Sequence, residues 1–330
     1  MKRFLLALVT AVLLCAAGAR LASAEIAPTV HHTRVARLAA PTLPAVQIPP
    51  AVQIPPAVQI PPAVQIPPAV QIPPAPQMPV ATASVPSPGE QLTTAVTVTQ
   101  AMQAVLPNAH VGFEVFDRQT DTVLISQNAG QQFASMSVVK LLIALDALAR
   151  DSWVAPDDAT QQEIGQMLAD SDDEIADRLW TADGGPAIVT RMVDLLGLTG
   201  TQPPADPGEW GDTLITPQDM VRVYRYITDQ LPNPDRGLVI GALTGAPRIA
   251  ADGFNQYFGI PNGMPHITWA IKQGWGTSGS QAVMNSTGLV GTDSHYVVVL
   301  LVSAPADSYS TVPAVVTAGA SALAGLVGAR

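Results

Sequence analysis

Residues 133–149 have the sequence Phe-Ala-Ser-Met-Ser-Val-Val-Lys-Leu-Leu-Ile-Ala-Leu-Asp-Ala-Leu-Ala, and this stretch decides the interpretation of the chain. From residue 138 onward it is apolar on nearly every side, which predicts a buried helix with Ser137 in its first turn. Ser137 and Lys140 stand three positions apart, so their side chains share one face of that helix. A buried lysine is readily neutral, and its amine can then accept the serine proton. The same spacing is also typical of an ordinary helix start with a solvated lysine.

Lysine is rare in this chain. It occurs only at Lys2, Lys140 and Lys272, and arginine is used at all other positions that carry a permanently basic side chain. Arginine stays protonated at any usable pH, whereas lysine can lose its proton. The use of lysine at positions 140 and 272 therefore favours proton-transfer chemistry at these two places.

Two tripeptides accompany the first motif. Ser171-Asp172-Asp173 opens a predicted helix, and Lys272-Gln273-Gly274 ends a predicted strand. In this order the three motifs resemble the Ser-x-x-Lys, Ser-Asp-Asn and Lys-Thr/Ser-Gly of class A serine β-lactamases and penicillin-binding proteins. Residues 95–330 therefore resemble a divergent member of that superfamily.

The resemblance implies a role for each matching residue. Ser137 would attack a carbonyl carbon and become acylated, and Lys140 would accept its proton. Ser171 would relay a proton to the leaving group, while Lys272 would hold Ser171 and attract a substrate carboxylate. The backbone N–H groups of Ser137 and Trp275 would form the oxyanion hole.

Several positions depart from the family pattern. Asp173 stands where the family has Asn, and an ionised carboxylate cannot donate a hydrogen bond to a substrate amide. Gln273 replaces the hydroxyl residue, and together with Asp173 and Gly274 it makes up the expected substrate-binding positions. Glu209 is the candidate deacylation base, although its loop lacks the Arg and Asn that surround that base in class A β-lactamases.

The periodicity along residues 90–330 predicts an α+β fold of the β-lactamase and transpeptidase type. We expect an antiparallel sheet built from both ends of the domain, flanked by helices, together with a trimmed helical lobe. The predicted helices lie at 91–105, 138–149, 161–168, 173–180, 186–196, 217–228 and 312–329. The predicted strands lie at 111–116, 122–126, 267–274, 281–288 and 296–302.

The N-terminal region predicts export. Residues 1–24 have the basic start, apolar run and small-residue cleavage site of a signal peptide, with cleavage expected after Ala24. Cys15 leaves lipid attachment open as an alternative, although Leu14 stands where such sites prefer a small residue. Residues 25–89 form a proline-rich linker with Ala-Val-Gln-Ile-Pro-Pro repeats over 45–80, expected to be an extended stalk. The third segment, 90–330, is the folded domain.

Composition limits the partners. The formal charge is −10, which argues against nucleic acid and against anionic membrane surfaces. No transmembrane segment is expected in the mature protein, whose predicted location is secreted or in the cell envelope, attached through the stalk. The acids at 170–174 suit a helix N-terminus, so neither a metal nor another cofactor is expected.

Two functions remain open. The first is a serine hydrolase or acyltransferase that acts on a β-lactam-like, peptide or ester substrate. The second is a catalytically impaired domain whose cleft binds cell-wall peptide or a protein partner. The intact Ser137 and Lys140 pair favours the enzyme, whereas Asp173 and Gln273 favour the binding protein.

Overall fold

A computed structural model of the protein describes residues 87–154 and 156–328, with side chains at 151 and 152 left out. The predicted signal peptide, Cys15 and the repeats of the linker lie outside these residues, so their boundaries stay predictions. Within the described part, no helix is both long and apolar enough to cross a membrane.

Seven strands are present in the described residues. They are β1 (His110–Asp117), β2 (Thr122–Gln127), β3 (Phe133–Ala134), β4 (Leu214–Ile215), β5 (Trp269–Ser278), β6 (Gln281–Val290) and β7 (Tyr296–Pro305). Five of them form an antiparallel sheet in the order β2-β1-β7-β6-β5. Both ends of the domain contribute to this sheet, which confirms the predicted α+β fold. The pair β3 and β4 was not predicted, because two residues are too few to show periodicity.

Nine α-helices surround the sheet in the described residues. They are α1 (Pro88–Val105), α2 (Lys140–Ala149), α3 (Asp158–Ala169), α4 (Asp173–Ala182), α5 (Pro186–Leu196), α6 (Pro217–Asp229), α7 (Asp235–Thr244), α8 (Ile260–Gly263) and α9 (Val312–Gly328). Helices α1 and α9 pack on each other beneath one face of the sheet. A second core lies around α2, which is buried from Lys140 to Leu148. Helix α7 was not predicted, since Gly237 and Gly241 weaken its helical signal.

Helix α1 begins three residues earlier than the sequence indicated. Ser87 caps it, with the Glu90 amide donating to the Ser87 hydroxyl and the Ser87 amide donating to the Glu90 carboxylate. Pro88 occupies the first turn, where its missing N–H costs nothing. The proline that we assigned to the linker is therefore part of the helix start.

The chain approaches α2 through a tight turn. Met136–Val139 is a 3₁₀ turn, and α2 begins only at Lys140. Met136 has a φ of 48°, in the left-handed region that non-glycine residues seldom adopt. Ser137 therefore lies in the 3₁₀ turn that precedes α2, instead of in the first turn of the α-helix.

Candidate active site

Ser137 and Lys140 are in direct contact. The Nζ of Lys140 lies 2.7 Å from the Oγ of Ser137 and 3.2 Å from the carbonyl oxygen of Ser171. The Lys140 side chain is fully buried, and Ser137 is 6% exposed at the floor of a cleft. The predicted pairing of the two side chains is thus present in the fold.

Burial sets the protonation of Lys140. Desolvation lowers the pKa of its amine, because a charged ammonium is poorly stabilised away from water. The carboxylate of Asp173 opposes this by forming an ion pair with the Lys140 amine, which raises its pKa. Burial is the larger effect, so the pKa of Lys140 stays below its usual value.

Ser171 and Lys272 form a second pair behind the first. The Nζ of Lys272 donates to the Oγ of Ser171 over 2.8 Å and to the carbonyl of Gln273 over 3.3 Å. Ser171 stands just before the N-cap of α4 and has a φ of 57°, in the left-handed region that non-glycine residues seldom adopt. Burial, with repulsion from Lys140, holds the pKa of Lys272 well below its usual range.

The burial of Lys272 bears on the second role expected of it, toward a substrate carboxylate. We expected Lys272 to attract a substrate carboxylate as well as to hold Ser171. The lysine holds Ser171, but it is only 1% exposed and its lowered pKa favours the uncharged amine. The role of Lys272 in attracting a substrate carboxylate stays a prediction.

Strand β5 passes very close to the serine. A Cβ at Gly274 would lie 2.6 Å from the carbonyl oxygen of Ser135 and 3.2 Å from the amide nitrogen of Ser137. Only glycine fits there, which explains the Lys-x-Gly pattern. Trp275, the next residue, lines the same cleft as Ser137, as its predicted oxyanion role requires.

Asn285 supports the chain before the serine. This buried side chain on β6 donates to the carbonyl oxygens of Ala134 and Ser135, at 2.9 and 3.0 Å. Sequence reasoning missed it, since its partners lie 151 and 150 positions away in the chain.

Two of the predicted substrate-binding residues, Gln273 and Asp173, make contacts within the protein. Gln273 is fully buried and donates to the carbonyl oxygens of Gln256 and Phe258, so it does not line the cleft. Adjacent side chains of a strand point to opposite faces, and Lys272 already occupies the face toward Ser171. Asp173 does line the cleft, where it forms the ion pair with Lys140.

The loop that contains Glu209 places a different side chain over Lys140. Glu209 is exposed at the rim of the cleft. The ring of Trp210 lies over the Nζ of Lys140 at 4.4 Å, and its indole nitrogen donates to Asp177 over 2.7 Å. Sequence reasoning missed Trp210, although a tryptophan within the loop segment Gly208-Glu209-Trp210-Gly211 is an unusual signal.

The cleft has a volume of about 550 Å³. Acidic and aromatic side chains dominate its lining. They include Asp173, Asp177, Glu209, Asp212, Asp252, Trp210, Trp275 and Tyr309. Across the described residues, no group of three or more His, Cys, Asp or Glu side chains is arranged to hold a metal ion.

Three sequence relatives were found among curated proteins, one from Mycobacterium bovis and two from strains of Mycobacterium tuberculosis. The chain is 35% identical over 213 residues to LppW, a candidate lipoprotein of Mycobacterium tuberculosis, and equally to LppW of Mycobacterium bovis. The match covers 62% of this chain and 67% of each relative. No family model matches the chain.

Solved structures share the fold at low sequence identity. A mutant of PBP-A, captured as an acyl-enzyme with penicillin G, has a TM-score of 0.57 and 16% identity, covering 72% of this chain and 97% of that one. A β-lactamase from Streptomyces albus G has a TM-score of 0.56 and 20% identity, covering 72% and 100%. The predicted fold of the β-lactamase and penicillin-binding-protein superfamily is confirmed.

Proposed function

Since this chain belongs to the family of the mycobacterial LppW proteins, and since it has the serine β-lactamase fold, we propose that it is an exported serine acyl hydrolase or acyltransferase. Its reaction passes through an acyl-enzyme on Ser137. The observation that carries this proposal is the 2.7 Å contact between Lys140 Nζ and Ser137 Oγ, with the lysine fully buried.

The acylation step follows from these contacts. Ser137 Oγ attacks the carbonyl carbon of an amide or ester, and its proton passes to the neutral amine of Lys140. The N–H groups of Ser137 and Trp275 stabilise the oxyanion that forms. The bond to the leaving nitrogen or oxygen then breaks. The proton that Lys140 took from Ser137 passes to the leaving group by way of the Ser171 hydroxyl, which Lys272 orients, so Ser171 ends the step protonated and Lys140 ends it neutral.

Deacylation, the second half of the reaction, is expected to be slow. Hydrolysis of an acyl-enzyme needs a base that activates water, and the candidate Glu209 is exposed at the rim. The ring of Trp210 covers the Lys140 amine, and we propose that it limits the approach of water on that side of the serine. This arrangement fits a long-lived acyl-enzyme, in which the acyl group leaves Ser137 by transfer to a nucleophilic acceptor.

A binding protein without catalysis is the second candidate. The ion pair between Asp173 and Lys140 favours it, because a carboxylate beside the lysine stabilises the protonated amine, which is not a base. Such a domain would use the cleft to hold cell-wall peptide or a protein partner.

Intact-mass measurement separates the two functions. The protein is incubated with a fluorophosphonate and, separately, with a fluorescent penicillin. An enzyme gains the mass of one phosphonyl group, whereas a binding protein keeps its mass with both reagents. A penicillin adduct is expected to form more slowly, because Asp173 replaces the amide donor of the family.

Location in the cell envelope is part of the proposal. The name of the LppW relatives, together with residues 1–24, supports export of this chain. Mass spectrometry of the mature N-terminus distinguishes cleavage after Ala24 from lipid attachment at Cys15. The proline-rich linker at 25–89 would then act as a stalk between the envelope and the domain.

A further inference from the structure

The cleft above Ser137 is strongly acidic. Five carboxylates line it, and none of its described lining residues is a lysine, arginine or histidine. The five acids are Asp173, Asp177, Glu209, Asp212 and Asp252. A substrate that enters the cleft therefore meets a negative potential.

The two buried lysines offset at most one of these five negative charges. Lys140 is paired with Asp173, and the lowered pKa of Lys272 favours its uncharged amine. Among the described residues, none of the other four cleft acids forms an ion pair with a basic side chain. Burial, together with the negative charge of Asp252, raises the pKa of the Tyr309 phenol.

Aromatic rings complete the walls of the cleft. The indole of Trp210 is fixed by Asp177, and that of Trp275 donates to Asp252 over 2.9 Å. Trp275 is further held by stacking on Phe254, with ring centroids 4.9 Å apart. The Nζ of Lys140 lies 4.4 Å from the centre of the Trp210 ring, which shows that an amine can approach the face of this indole. Rings of this kind, next to carboxylates, favour organic cations over anions.

We infer that the acyl substrate of Ser137 carries a positively charged group, such as a primary ammonium or a guanidinium, close to the scissile carbonyl. This inference rests on the proposed function. The cationic group is held between the carboxylates and the indole faces, while Ser137 attacks the neighbouring carbonyl. Substrates with a carboxylate at that place, penicillins among them, acylate the serine slowly because the cleft repels them.

Three fluorophosphonates with matched tails test the inference. One tail ends in trimethylammonium, one in the uncharged tert-butyl group and one in a carboxylate. In each reaction the Ser137 oxygen bonds to phosphorus, fluoride leaves and the serine proton passes to the base. We expect the rate constant for labelling to fall from the cationic to the neutral to the anionic probe, and the differences to shrink in high salt.

The variants Glu209→Gln and Asp212→Asn test whether the preference for the cationic probe arises from the carboxylates of the cleft. Each removes one negative charge at almost constant size, and neither carboxylate has a hydrogen bond that a neutral amide would break among the contacts described. The ratio of cationic to neutral labelling should fall about twofold per variant, as expected for unit charges roughly 8 Å apart in water. Asp194→Asn, on the exposed face of α5, changes the net charge equally and should leave the ratio unchanged.

The outcomes separate the inference from the proposed function. Equal labelling by the three probes would overturn the inference alone, since the serine would still be reactive. A charge preference that survives both cleft variants undiminished would also overturn it. If none of the three probes labels the protein, the proposed function fails and the inference falls with it.

Discussion

The half-exposed carboxylate of Asp173 forms an ion pair with the fully buried amine of Lys140. This contact links the residue that departs from the family motif to the residue that is proposed to act as base. Burial lowers the pKa of Lys140 and Asp173 raises it, so the two effects together set the pH at which the amine becomes neutral. The balance decides whether Ser137 is activated near neutral pH.

Replacing Lys140 with arginine tests its role as a base. Arginine keeps the positive charge and most of the length, but it cannot become neutral at usable pH. We expect Lys140→Arg to fold, and its rate of acylation by a fluorophosphonate to fall by roughly 10²–10⁴-fold. The wild-type rate should rise with pH through the lowered pKa of Lys140, and the variant should lose this rise. Wild-type rates in a folded variant would show that Lys140 is not the base.

Replacing Asp173 with asparagine should shift the pH profile. Asp173 raises the pKa of Lys140, so its removal lowers that pKa further and makes the neutral amine available at lower pH. We expect the midpoint of the acylation rate in Asp173→Asn to move to lower pH, measured by stopped-flow labelling. Asp194→Asn is the control with equal change in net charge. A midpoint that stays in place, or moves upward, would contradict the account of the ion pair.

Replacing Lys272 with methionine should stabilise the fold and slow the chemistry. The folded protein favours the neutral lysine, whereas the unfolded chain protonates it below about pH 10. The wild-type free energy of unfolding should therefore rise with pH across the window between the folded and unfolded pKa, by up to about 1.4 kcal/mol per pH unit from this residue.

In Lys272→Met the pH-dependent term from the buried lysine disappears, so the free energy of unfolding of the variant should exceed that of wild type at neutral pH. Its acylation should slow, because Ser171 loses the hydrogen bond from Lys272. Urea titrations at several pH values measure the first effect, and fluorophosphonate labelling measures the second. Arg178→Met removes a solvated charge instead and should keep the wild-type slope. An unchanged slope in Lys272→Met would refute the buried neutral amine.

Removing the ring of Trp210 should shorten the life of the acyl-enzyme. The indole lies over the Lys140 amine, and we propose that it restricts water beside the acylated serine. With a slowly hydrolysed ester substrate, decay of the adduct in Trp210→Ala should accelerate, on the order of tenfold if the barrier falls by about 1.4 kcal/mol. Time-resolved intact-mass spectra give the decay rate. Trp210→Phe keeps a ring and should decay slowly, and equal decay in both variants would argue against shielding.

The local part of the site was predictable from the sequence. Ser137 and Lys140 are three positions apart, so helical spacing alone brings them together. The contact of Lys272 with Ser171 spans 101 positions, and it was expected only through the resemblance of the three motifs to a known family.

Other features depended on contacts that no local pattern encodes. The loop residue Trp210 donates a hydrogen bond to Asp177 on α4, and this contact holds the indole in the position where it covers Lys140. The orientation of Gln273 was within reach of the sequence, since alternation along β5 places it opposite Lys272. Its buried amide bonds to the carbonyl oxygens of Gln256 and Phe258, so Gln273 does not face the cleft as a substrate-binding residue would.

The most direct test is to locate the fluorophosphonate adduct by peptide mass spectrometry, in wild type and in Ser137→Ala. We predict one adduct per molecule, on the peptide that contains residues 133–149 and on Ser137 within it, with no labelling in the folded Ser137→Ala protein. An adduct on another residue, equal labelling of Ser137→Ala, or the absence of any adduct in folded wild type would contradict the claim that Ser137 is an activated nucleophile.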